Sequence, residues 1–227
     1  MRRNASTVVV LAGSAPGAVL AAVGRSMNVT LIRPEEPADS AGDGLAAAAG
    51  ALHRAGRATA PYALVAADPL AAVAAGWRAM WDVSRPQGPA EFEQQAATAL
   101  AAWRSGRFEL PDYYLVLAAG TGAAPGAGPV GPAEAGEHRT GEHRVGDPGP
   151  DFHLGPLRSA RPHRVAVVAA AEPAQQAVGV LQALGSLRHG PWWPPLDEVI
   201  ETARRFYPDS LAEGTAALAA SPRGSGS

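Results

Sequence analysis

At 227 residues the chain is long enough to bury one sizeable core, and a net charge of −2 with 18% charged residues sets up no field that would recruit nucleic acid or a membrane surface. Cysteine is absent, which excludes disulfides, thiol catalysis and thiolate zinc sites. All 19 basic residues are arginine, so there is no Walker-type phosphate lysine, no pyridoxal Schiff base and no lysine general base.

The N-terminal Arg2-Arg3 and the apolar run that begins at Val8 imitate a secretory signal, but Gly13, Ser14, Pro16 and Gly17 break that run at its middle. The first half, Val8-Val9-Val10-Leu11-Ala12-Gly13, reads instead as a core strand that turns through Ser14-Ala15 into a proline-led helix. Asn28-Val29-Thr30-Leu31-Ile32 reads as a second strand, residues 37–43 as a loop, and residues 45–55 as a small-residue helix stopped by Gly56. Tyr62-Ala63-Leu64-Val65-Ala66-Ala67 repeats the first grammar, running through Asp68-Pro69 into a helix over 70–81 whose Trp77 and Trp81 share one side as a core stripe. Residues 91–104 form the clearest amphipathic pattern, with Phe92, Ala96, Ala99, Leu100 and Trp103 on one side. Tyr113 to Ala118 reads as a strand by length and composition.

From Gly120 to Asp151, nine of 32 residues are Gly and five are Pro, and Val130 and Val145 are the only large aliphatics. Such a segment cannot bury enough to offset its ordering entropy and is expected to be a disordered insertion. Within it, Glu137-His138 and Glu142-His143 belong to a slipped repeat and are not expected to hold a metal. Residues 152–157 alternate weakly and are expected to pair with the next strand as an antiparallel hairpin at one sheet edge.

The third strand-to-helix unit is Val165-Ala166-Val167-Val168-Ala169-Ala170, then Glu172-Pro173, then a helix toward Gly190 whose Val178, Leu181, Leu184, Gly185 and Leu187 are expected to lie on the sheet. Glu172 has the position of its N-cap. After the Pro191-Trp192-Trp193-Pro194-Pro195 loop, a second amphipathic helix covers 196–207, and a short last helix is expected from Ser210 to about Ala220.

These units predict an α/β, Rossmann-like layered fold: a mainly parallel sheet of about five to six strands flanked by helices, mixed if the hairpin forms. The organisation is one domain in two parts, 1–119 and 152–220, with the insertion at 120–151 and a flexible tail at 221–227. In such a fold the strand-to-helix turns share the carboxyl edge of the sheet, the default place for a ligand. Candidate ligand-binding residues there are Gly13, Ser14 and Gly17 in the first turn, Glu35 after the second strand, Asp68, Thr121 and Glu172. No G-x-G-x-x-G occurs, Pro16 removes a backbone donor, and Ser14 is outside a G-x-S-x-G elbow, so neither a dinucleotide nor a hydrolase is specified. Pairing Ser14 with His153 or His189 and Asp68 as a triad is topologically allowed but has no motif behind it, and capping explains Asp68 and Glu172 with fewer assumptions.

Two features point to interaction instead. Arg158, Arg161 and Arg164, with His163, make the one dense basic cluster, suited to an acidic partner or a phosphate. Trp192-Trp193, stiffened by prolines, suits stacking on a partner surface. The sequence therefore favours a cytoplasmic binding or protein-interaction module with no evident cofactor, catalytic group or metal, whose partner is a protein or a small anionic ligand. The runner-up is an enzyme acting on a nucleotide or phosphorylated small molecule at the carboxyl edge.

Overall fold

The computed structural model describes residues 6–13, 15, 17–35, 44–119, 152–170 and 172–206. Five strands, β1 (Thr7–Ala12), β2 (Val29–Ile32), β3 (Tyr62–Val65), β4 (Tyr113–Ala119) and β5 (Val165–Ala170), form one sheet in the order β2-β3-β1-β4-β5. Every neighbouring pair is parallel. The strand-to-helix units read from residues 8–12, 62–67 and 165–170 therefore run the same way in a common sheet. Because β4 precedes residue 120 and β5 follows residue 151, the two sequence halves share this sheet. The expected insertion, its His–Glu repeat and the short helix beyond Ser210 lie outside the described residues.

The period of two along β1 sorts its side chains: Val8, Val10 and Ala12 enter one core, Val9 and Leu11 the other. The second core is closed by α1 (Gly17–Val23) and α6 (Pro173–Gly185), and the first by α2 (Gly44–Ala55), α3 (Ala71–Met80), α4 (Gly88–Arg104) and α7 (Leu196–Arg205). The chain leaves β1 toward β2 through α1 on one face and returns toward β3 and β4 through α2, α3 and α4 on the other. Opposite directions demand opposite faces when every crossover has the same hand. Trp77 is fully packed as the sequence suggests, edge-on to Trp81 and Phe152, with its Nε1–H donating to the Ala203 carbonyl at 2.9 Å. The helices α3 and α4 approach closely at Gly76, where a Cβ would lie 2.9 Å from Phe92 Cα. Among the described residues no helix is long and apolar enough to cross a membrane.

Two expectations are corrected. Residues 152–157 do not form a strand: His153–Leu157 is a π-helical turn that continues as α5 (Arg158–Ala160) and a 3-10 turn, Pro162–Arg164. The buried residues, Phe152, His153, Pro156 and Leu157, recur with helical spacing, and Pro156 has no N–H to give a ladder. The hairpin is therefore absent and the sheet is not mixed. In α6, the buried positions are Gln176, Ala177, Val180 and Leu184, whereas Val178 and Leu181 face solvent. This helix is apolar on two sides, so periodicity alone was right at Leu184 and Leu187, which pack on the second core, and wrong at Val178 and Leu181. It also ends at Gly185, before Gly190, and residues 187–195 are loop.

Candidate functional site

At the carboxyl edge, β1 delivers the chain to one face of the sheet while its neighbours β3 and β4 deliver it to the other, so the topological switch point flanks β1. Gly13 sits there with φ of 94°, and a Cβ at this position would lie 2.7 Å from the Leu117 carbonyl oxygen. Glycine is thus required by the backbone of β4. Gly17 opens α1 in open space, while Ser14 and Thr121 are outside the described residues. Glu35 follows β2, the outermost strand, two strand spacings (about 9.5 Å) from β1. It pairs with Arg54 of α2 at 3.1 Å. A dinucleotide fold orders its strands 3-2-1-4-5 and sets β2 beside β1. Here β3 takes that place, so the acid beside the switch point is Asp68. Glu172 is exposed at the start of α6, its carbonyl accepting the Gln176 N–H at 2.9 Å and its side chain making no cap.

Asp68 turns inward. Its Oδ1 accepts the Leu70 N–H at 2.8 Å, closing an Asx turn ahead of α3; the N-cap of that helix is Leu70, with no side-chain cap, so Asp68 does not cap it as expected. Its Oδ2 meets His153 Nε2 at 2.8 Å, with side-chain exposures of 9% and 5%. The fully buried Tyr114 ring lies 5.5 Å from the imidazole, and burial first, the Asp68 carboxylate second, holds its phenol pKa well above the ordinary value. A carboxylate-oriented imidazole is one half of many nucleophile-activating systems. His153 Nδ1, however, is buried and has no hydrogen-bond partner among the described residues, so no nucleophile stands beside it there. The pair instead bolts the exit of β3 to the π turn across 85 residues of chain. Among the described residues no three His, Asp or Glu side chains converge as metal ligands.

The arginine cluster and the tryptophan loop, separate candidates in the sequence, meet at the opposite, amino edge of the sheet. Arg164 is buried and donates from Nε to the Pro191 carbonyl (3.1 Å), from Nη1 to Asp112 (3.0 Å) and from Nη2 to Gly190 (2.8 Å). Its guanidinium also lies over the Tyr113 and Trp192 rings, 4.9 and 4.8 Å from their centroids. Arg161 Nε donates to the Trp192 carbonyl at 2.7 Å, and His163 Nε2–H donates to that of Pro191 at 2.9 Å. Trp193 is buried, its Nε1–H donating to the Pro111 carbonyl at 2.6 Å. The fork of Arg164 is spent on holding the loop, and an incoming anion would have to displace the loop to use it. Of this group, Arg158 and one ring of the pair, Trp192, face solvent. Beneath them Asp112 Oδ2 accepts the Val8 N–H at 2.7 Å, and burial raises its pKa against both that bond and the Arg164 charge.

A third surface was not singled out from sequence. Among the described residues β5 is an outermost strand, hydrogen-bonded on one side alone, and its six residues carry no charge. Val167 is 39% exposed, and on the adjoining helix Val178 is 54% and Leu181 38% exposed. Six large hydrophobics are exposed in the described residues, and of these Val167 and Val178 border one groove. Between strand and helix runs a groove of about 710 Å³, lined by Val167 and Ala169 from β5 and by Ala174, Gln175, Val178 and Gln182 from α6. The signal in the sequence was a charge-free strand followed by a helix whose apolar residues exceed what one face can bury. Comparison of the chain with family models, with curated proteins and with solved structures finds no match.

Proposed function

We propose that this chain is a protein-interaction module and that its docking face is the outer edge of β5 together with the exposed side of α6. The carrying observation is the edge of β5, unguarded among the described residues. Edge strands present a row of unpaired backbone donors and acceptors and are ordinarily kept short or protected by charge, proline or a bulge. The other edge of the sheet follows that habit: β2 has four residues and is followed by Arg33, Pro34 and the Glu35–Arg54 pair. β5 has six residues, none charged and none proline, beside a helix that exposes two large aliphatics. Strand addition to a free edge supplies main-chain hydrogen bonds, and an adjoining apolar groove supplies side-chain selectivity.

The enzyme reading draws less support. It needs a concave site with a titratable group at the switch point, but Gly13 is packed on Leu117, Glu35 is two strands away, and Asp68 is turned into the core toward His153.

Site-specific photocrosslinking in cells tests the proposal. A photoreactive residue at Val178 or Leu181 is expected to yield crosslinked species of discrete mass, and the same residue at Gln94 or Ala97, on the exposed side of α4, is expected to yield none. Equal crosslinking from the two helices, or none from α6, refutes it.

A further inference from the structure

We infer that the occupant of this face is a second copy of the same chain, with the two β5 strands paired antiparallel about a two-fold axis normal to the sheet. The inference rests on reading β5 and α6 as the docking face.

The first argument is charge. No charged residue lines the groove; Gln175, Gln182 and Ser186 are its polar members, and the strand itself is Val-Ala-Val-Val-Ala-Ala. A partner recognised through charge would leave its ions desolvated and unanswered here. A neutral strand of small side chains fits, and the chain carries one. At a net charge of −2, two copies also meet little long-range repulsion.

The second argument is symmetry. An isologous contact requires each patch to hold both the projections and the recesses that its copy needs. The exposed side of α6 has both: Val178 projects, while Ala174, one turn before it, leaves room beside it. A two-fold axis normal to the sheet keeps each face on its own side, so the two α6 helices fall on the same face and cover the joint together. The same operation makes each residue meet one of equal parity, and the strand therefore crosses its copy at a residue. Val167, the large side chain that β5 leaves exposed, is that crossing. Ala166 then meets Val168 of the other copy, and the two five-stranded sheets become one.

Sedimentation equilibrium of the full chain tests this, with the charged variants Val167→Glu and Val178→Glu as comparisons. The wild-type chain is expected to be a dimer, and each substitution to weaken it at least about a hundredfold, since the carboxylates of two copies are brought together at the joint. Unchanged circular dichroism of the variants shows that their fold survives. Because the chain has no cysteine, Val167→Cys supplies a register probe: oxidation is expected to link two chains at 167, whereas Val83→Cys, exposed far from the face, is expected not to. A wild-type monomer at about 100 μM, where association worth more than roughly 5 kcal/mol would register, overturns the inference. So does a dimer that survives both charged variants, or an open series of larger species. A monomer whose α6 still photocrosslinks to another protein leaves the docking face standing and removes the second copy alone, whereas a monomer that does not crosslink removes both.

Discussion

Replacing Asp68 with alanine tests the bolt between β3 and the π turn. Two interactions go at once: the Oδ1 bond to the Leu70 N–H and the Oδ2 bond to His153 Nε2. Loss of the turn hydrogen bond costs about 1 kcal/mol. An imidazole N–H left buried without a partner costs a further ~1–3 kcal/mol, giving roughly 3 kcal/mol together. For a chain of this length that corresponds to a fall in Tm of about 6–12 °C. Asp68→Asn retains an acceptor for Leu70 and an amide that can face the other tautomer of His153, so its cost should be about 1 kcal/mol. Urea unfolding followed by tryptophan fluorescence measures both, with buried Trp77 as a reporter. The double variant Asp68→Ala/His153→Ala completes a cycle, in which the pair should show a coupling of at least about 1 kcal/mol. A single-variant loss below about 0.5 kcal/mol, within the range of an ordinary surface substitution, would refute the claim that this contact fastens the turn.

The remaining predictions follow from charges and their surroundings. The carboxyl of Asp112 is raised by burial above its ordinary 3.8, so its contribution to stability is fully present below that pH and is lost as pH rises through the folded value. Asp112→Asn, which keeps an acceptor for Val8, should match the parent at acid pH and exceed it at pH near 7; a parent that gains on the variant as pH rises contradicts this. Glu93 behaves in the opposite sense, because its bonds from Arg204 at 2.6 and 2.9 Å lower its pKa. Its contribution is present above 4.5 and lost below. The pair is half-exposed, so Glu93→Gln should cost only about 0.5–1 kcal/mol at low salt and less at high salt. Tyr114 should keep its proton when other tyrosines ionise, and an ultraviolet titration of Tyr114→Phe should match the parent until alkaline unfolding begins. Arg164→Lys retains the charge but cannot reach three carbonyls in one plane; a loss of about 2 kcal/mol with altered Trp192 emission is expected, and wild-type stability would show that the clamp is dispensable.

The sheet was legible because its strands are short apolar runs closed by a turn and a proline, a local grammar that repeats in the chain. Strand order was not legible. Nothing in residues 29–32 says that they pair with β3 and stay away from β1, and that choice separates Glu35 from Gly13 while bringing Asp68 beside it. The bond from Asp68 to His153 spans 85 residues, and neither partner's neighbours in sequence announce it. Phe152 to Leu157 misled for a different reason: six residues with a weak alternation also fit one helical turn, and Pro156 was the residue that should have decided against a ladder.

The same reasoning explains why the two features that looked most like binding surfaces turned out to bind each other. Arginines and tryptophans are enriched at interfaces because a planar donor fork and a large rigid ring are versatile contacts. Those properties serve equally well inside one chain, where Arg164 joins three carbonyls from two separated segments and Trp193 closes the core beneath them. β5 and α6 have none of these residue types. Their claim to a partner comes from a strand with no charge and no proline and from the exposure of Val178 and Leu181. A surface of small neutral residues costs little to desolvate, so it can be buried against a like surface with few specific bonds beyond the main chain. That is why the occupant is sought in a second copy and not in a ligand of opposite charge.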